Sequence, residues 1–175
     1  MKEENNVRHI ILIGFMGAGK STVGKRLAKA CNRKFIDTDQ KIEAETGRVI
    51  SDIFAQDGEE FFRDLETELL KKLKTQQEPL VIAVGGGLPV RAINRTLLKE
   101  LGTVVYLKAE VDTLEKRLQG SVTRPKLLGG NLRERILALM EAREEFYQDA
   151  AEIVYDTDGK SLPEVVCGLK EKIFP

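Results

Sequence analysis

Gly14-Phe15-Met16-Gly17-Ala18-Gly19-Lys20-Ser21 matches the pattern G-x-x-x-x-G-K-[ST] without a gap. A loop that wraps around a phosphate must turn successive backbone N–H groups inward, and side chains along it would obstruct the ligand. Gly14, Gly17 and Gly19 remove that obstruction and permit positive φ. A helix beginning near Lys20 adds its positive N-terminal end to the anion site. Lys20 then reaches the β- and γ-phosphates of a nucleoside triphosphate, and the Ser21 hydroxyl is placed to ligate Mg²⁺. Residues 8–13, before the loop, are apolar on both faces, as in a fully buried strand. Residues 21–31, after it, put Val23, Leu27 and Ala30 on one helical face. Strand, glycine loop and helix together point to nucleotide phosphate binding.

Outward from this unit the same alternation repeats. Short apolar runs at 34–37, 80–84, 103–107 and 152–155 read as strands. Helical patterns occupy 59–74, 92–100, 111–119, 132–149 and 162–173. Such alternation predicts an α/β fold, a parallel sheet with helices on both faces, whose site lies outside the carboxyl ends of the strands. Two connections are rich in polar residues. The first, about 37–66, reads mostly as short helical turns. The second, about 120–131, carries Arg124, Pro125 and Lys126 and ends near Gly129-Gly130, the composition of a movable lid or of an ordinary solvated loop.

The 175 residues suit one domain, 1–175, and no linker or repeat divides them. Lysine plus arginine and aspartate plus glutamate each number 28, so the net charge is zero and a nucleic-acid partner is not expected. A single histidine, His9, excludes multi-histidine metal sites, and its apolar flanks make it structural. Cys31 and Cys167 are far apart and form no CxxC pair, which fits a reducing cytoplasm. The apolar run at 10–13 is too short for a membrane span. No feature suggests stable assembly, so a monomer is expected.

Several residues bear on a second substrate. Asp37-Thr38-Asp39 ends the second strand; one carboxylate could face a Mg²⁺ shell and the other an incoming hydroxyl, or Asp39 could simply cap the next helix. Arg63, with Glu66 three residues on, and Arg143 lie on helices; two arginines and an aspartate near one pocket would suit an anionic polyol. Gly85-Gly86-Gly87 follows the third strand and suggests close backbone approach.

In order and spacing, GFMGAGKST at 14–22, FIDTD at 35–39, FFRDLE at 61–66, AVGGG at 83–87, TRP at 123–125, and Arg143 followed by Tyr147 and Ala151 resemble the shikimate kinase family over essentially the whole chain. The resemblance implies a P-loop kinase fold with a five-stranded parallel sheet, a substrate-binding segment and a lid. It implies transfer of the ATP γ-phosphoryl group to the 3-hydroxyl of shikimate, on the way to the aromatic amino acids. Asp39, Arg63, Gly86 and Arg143 would hold shikimate, with Asp39 orienting the attacking hydroxyl. Gly17, Ala18, Gly19, Lys20, Ser21 and Thr22 would bind the nucleotide phosphates; Ser21, with Asp37 in the outer shell, would hold Mg²⁺. Arg124 would be the lid arginine, and Arg117 and Lys160 would flank adenine. Two departures stand out: Lys126 interrupts the family's Arg-Pro-Leu-Leu, and Lys160 stands where an arginine is common, keeping charge but losing a planar stacking surface. The P-loop and lid alone would also fit a gluconate or nucleoside monophosphate kinase, or a non-catalytic nucleotide switch. The other motifs favour shikimate, and retention of Lys20, Ser21, Asp39 and Arg124 favours catalysis.

Overall fold

The strands β1 (His9–Ile13), β2 (Lys34–Asp37), β3 (Leu80–Ala83), β4 (Gly102–Lys108) and β5 (Ile153–Asp156) form a parallel sheet in the order β2-β3-β1-β4-β5. The computed structural model describes residues 8–119 and 129–175. Each expected strand is present, with ends shifted by a residue or so. β1 is central and buried along its whole length. Its side chains alternate: Ile11 and Ile13 enter one core, Ile10 and Leu12 the other. β4 divides likewise, Val104 and Tyr106 against Val105 and Leu107. A continuous apolar run is therefore what a sheet covered on both faces needs.

The covering helices are α1 (Lys20–Ala30), α2 (Thr38–Thr46), α3 (Ile50–Leu73), α4 (Ala92–Leu101), α5 (Val111–Leu118), α6 (Leu132–Ala150) and α7 (Leu162–Ile173). α1 and α7 pack on the face of Ile10 and Leu12; α3, α4, α5 and α6 pack on the other. β1 leads through α1 toward β2, whereas β3, its neighbour, leads through α4 to β4 on the far side. Between β1 and β3 the connections diverge, and a crevice opens at their carboxyl ends. The P-loop leaves β1 at that crevice, and Gly85-Gly86-Gly87 closes β3 beside it.

The segment 37–66 departs from expectation. It is not a series of short turns but α2 followed by the first part of a 24-residue α3. α2 buries just Thr38 and Ile42, too few to print a helical period on the sequence. Within α3, Gly58 takes φ 85° and ψ 172°, dividing an entry half from the half that carries Arg63. Arg124, Pro125 and Lys126, with most of the expected lid, lie outside the described residues.

His9 is structural in the strict sense. It is buried, and its Nδ1 accepts the Leu80 backbone N–H at 3.1 Å, tying β1 to the start of β3. Burial, with a smaller push from the Arg33 charge, holds its pKa below the ordinary 6.5. The unfolded chain takes up this proton more readily than the fold does. The contribution of His9 is thus complete above pH 6.5 and is lost as pH falls below it. His9→Asn preserves an acceptor and removes the titration. Urea unfolding at about pH 7.5 and about pH 5.5 should show wild type losing stability relative to His9→Asn on acidification. Every other titrating group cancels in that comparison, so a pH-independent gap would contradict it.

Candidate active site

At the phosphate end, Gly17 (φ 81°) and Gly19 (φ 92°) take the left-handed backbone that the loop requires, and α1 starts directly after Gly19. The Lys20 ammonium donates to the carbonyls of Gly14 and Phe15 at 2.7 and 2.9 Å, which holds its charge over the loop. Ser21 Oγ donates to Asp37 Oδ2 at 2.5 Å. The other oxygen of Asp37 accepts the N–H groups of Asp39 (3.0 Å) and Gln40 (3.2 Å). The cap of α2 is therefore Asp37, not Asp39, and the Asp39 side chain turns to the cleft wall instead.

The Ser21–Asp37 pair is a set of hard oxygen donors at the P-loop. No cluster of three or more His, Cys, Asp or Glu occurs among the described residues. Such a site suits Mg²⁺, which keeps waters and binds through one or two protein oxygens together with substrate phosphates.

At the opposite end the glycine turn organises the charges. A Cβ on Gly85 would lie 2.7 Å from Asp39 Oδ1 and 3.0 Å from Glu66 Oε1. On Gly87 it would fall 2.1 Å from Arg63 Nη2, and on Gly86 3.5 Å from Arg143 Nη1. The three glycines thus lie against the groups brought in by α2, α3 and α6. Three side chains pin the turn in place. Thr38 Oγ1 accepts Gly85 N–H at 3.1 Å, Tyr147 donates to the Gly86 carbonyl at 2.7 Å, and Asn94 Nδ2 donates to the Leu88 carbonyl at 3.0 Å.

Arg63 donates to Glu66 Oε2 at 2.7 Å and to the more exposed Glu59 at 3.1 Å. Arg63 and Arg143 are only 7% and 5% exposed, and Glu66 is fully buried, so this is no surface ion pair. Burial, helped by the charge of Asp39, lifts the Glu66 carboxyl to about 7 against the opposing pull of Arg63 and Arg143. Arg143 Nη1 is buried without a hydrogen-bond partner among the described residues. A buried guanidinium N–H in that condition favours an anionic ligand.

One cleft of about 1110 Å³ joins both ends. Arg117 and Lys160 also line it. Arg117 Nη1 donates to the Gly17 carbonyl at 3.0 Å; Lys160 donates to the Asp156 carbonyl at 2.8 Å and lies over the Tyr155 ring. The structure thus brings together every expected site residue that it describes. The pairing of Glu66 with Arg63 and the close approach at Gly85-Gly86-Gly87 follow the expectation; sequence reasoning missed the full burial of Glu66 and the Tyr147 bond. One signal was present for the last: Tyr147 is four residues from Arg143, hence on the same helical face.

Comparison with known proteins follows the same geometry. The family model described as shikimate kinase matches residues 16–173. The chain belongs to the shikimate kinase family. A shikimate kinase of Pelotomaculum thermopropionicum is 45% identical over 160 residues, covering 91% of this chain and 92% of that protein. The solved shikimate kinase from Acinetobacter baumannii, in complex with shikimate, superposes with a TM-score of 0.91 at 36% identity, covering 95% and 93%. A gluconokinase from Sinorhizobium meliloti, 17% identical with a TM-score of 0.59 and coverage of 95% and 94%, shares the P-loop kinase fold.

Gly87 has a negative φ, −92° with ψ −7°, at the edge of the helical region that alanine also occupies, so the substitution needs no left-handed backbone. Gly87→Ala should therefore fold as wild type by circular dichroism, while its methyl group drives Arg63 from its seat. kcat/KM for the phosphoryl acceptor should fall about a hundredfold, the cost of a misplacement of about 1 Å. Unchanged acceptor kinetics in a folded Gly87→Ala would contradict the close packing.

Proposed function

We propose that this kinase transfers the γ-phosphoryl group of ATP to the 3-hydroxyl of shikimate. One observation carries the reading: a P-loop and a pocket with two buried arginines and an aspartate open into the same cleft. Shikimate presents a carboxylate and hydroxyls on one small ring. Arg63 and Arg143 anchor the carboxylate, since guanidinium groups clamp carboxylates with two parallel hydrogen bonds. Asp39, on the first turn of α2, orients the attacking hydroxyl toward the P-loop and can receive its proton. Gly86 gives the ring close access to the backbone.

Phosphoryl transfer asks the protein mainly for positioning and charge neutralisation. The P-loop N–H groups of Gly17 to Thr22 and the positive end of α1 hold the phosphates. Lys20 moves from loop carbonyls to the β- and γ-phosphates, where its charge offsets that of the transferring group. Ser21, with Asp37 in the outer shell, would hold Mg²⁺, which would supply neutralisation of phosphate charge. Arg117 and Lys160 border adenine. Arg124, outside the described residues, completes the charge balance from the lid on the strength of the resemblance. The same reading takes the chain as one domain with a substrate segment over α2 and the start of α3, acting as a cytoplasmic monomer. No helix among the described residues is long and apolar enough to cross a membrane.

A coupled ADP-release assay tests the proposal. Turnover with shikimate should far exceed turnover with gluconate or nucleoside monophosphates, and equal or faster turnover with either would overturn the substrate. Lys20→Met, pure and folded, should retain less than about a tenth of the rate, a loss of more than about 1.4 kcal/mol of transition-state stabilisation. A smaller loss would contradict the role given to Lys20.

A further inference from the structure

α6 carries Arg143 and, one turn later, Tyr147, so the two side chains leave the same face. Tyr147 is 1% exposed, and its hydroxyl donates to the Gly86 carbonyl at 2.7 Å. Gly86 is the spacer between the two halves of the cleft. A Cβ there would lie 3.4 Å from Met16 N and 3.5 Å from Gly14 O on the P-loop side, and 3.5 Å from Arg143 Nη1 on the other. Arg143 Nη1 makes no hydrogen bond of its own among the described residues. Its neighbours are the glycine backbone, Tyr147 and the Glu66 carboxyl.

We propose that Tyr147 is a positioning residue for the acceptor site: its hydroxyl ties Gly86 to α6 and thereby sets Arg143 against the glycine turn at a fixed distance from the P-loop. The proposal rests on the acceptor reading given above and deepens it. Tyr147 lies against Arg143 as well as Gly86, and the Arg143 charge and a side-chain hydrogen bond with it both act on the phenol. It closes a triangle of α6, the Arg143 guanidinium and the Gly86 carbonyl, so that a shift of the turn cannot occur without breaking a buried hydrogen bond. The ring is held independently, packed on Tyr106 with centroids 5.1 Å apart. Tyr106 in turn donates to Glu144 on the same helix at 2.6 Å. Burial pushes the Tyr147 phenol up to about 12, so the group stays a donor throughout the working pH range. Its action is geometric and involves no proton transfer.

Tyr147→Phe keeps the packed ring and removes the bond. Tyr106→Phe removes the other hydroxyl of the tyrosine pair, one that reaches α6 through Glu144 without touching the glycine turn, and serves as the structural control. Steady-state kinetics with shikimate and ATP, with melting curves, should be run on wild type, both single variants, Arg143→Ala and the double variant Tyr147→Phe/Arg143→Ala. Tyr147→Phe should raise the shikimate KM about fivefold or more, the equivalent of one ordinary hydrogen bond, while the ATP KM changes less than about twofold. The pH profile of kcat/KM should keep its wild-type midpoints. Tyr106→Phe should lower Tm and leave both KM values alone. In the Arg143→Ala background the added Tyr147→Phe change should have little further effect on shikimate KM, because the group it positions is gone. Wild-type shikimate kinetics in Tyr147→Phe, parameters matching those of Tyr106→Phe, a fully additive double variant, or a Tyr147→Phe chain that does not fold would each overturn the proposal. A wild-type enzyme inert toward shikimate would instead overturn the acceptor reading on which it rests.

Discussion

Around Gly85-Gly86-Gly87, charged side chains occupy the space that side chains on the turn itself would take. Gly85 is pressed by Asp39 and Glu66 and Gly87 by Arg63, while Gly86 stands between Arg143 and the P-loop. The constraint is steric before it is electrostatic. Three helices separated by up to about a hundred residues can present their charges to one point because β3 ends in a turn with no Cβ atoms. The sheet order places that turn beside the P-loop, and Thr38, Tyr147 and Asn94 hold it from α2, α6 and α4.

The electrostatic consequence is a group of two buried cations, the buried Glu66 and the half-buried Asp39. Removing one member of such a set leaves an uncompensated buried charge, which costs more than the intact pair contributes. The cluster is therefore a positioning device at least as much as a stabilising one. The raised Glu66 pKa states the same balance. Its contribution to stability is complete below the ordinary carboxyl value of 4.5 and is lost as pH rises through about 7. His9, whose pKa is depressed, pulls in the opposite direction near pH 6.5.

Much of this architecture is readable from residues that stand next to one another. The loop 14–21 announces its chemistry because every group it needs is contiguous, and β1 announces itself because both its faces are buried. The segment 37–66 is opaque for equally physical reasons: α2 buries too few side chains to show a period, and Gly58 interrupts α3. Asp37 rather than Asp39 caps the next helix because β2 runs to Asp37 and α2 starts directly at Thr38, a boundary that no local pattern marks. Tyr147 and Gly86 are 61 positions apart, so no local pattern reveals their bond. Arg63 and Arg143 are legible as charged helix residues, but their burial and convergence belong to the tertiary structure.

The most direct test of the central claim is a crystal structure of the enzyme with shikimate bound. The carboxylate should lie between Arg63 and Arg143, with a hydroxyl on Asp39 and the Gly85–Leu88 turn displaced by no more than about 0.5 Å from its position here, as a preorganised site requires. Shikimate bound away from these arginines, or a turn that rebuilds itself around the ligand, would contradict it.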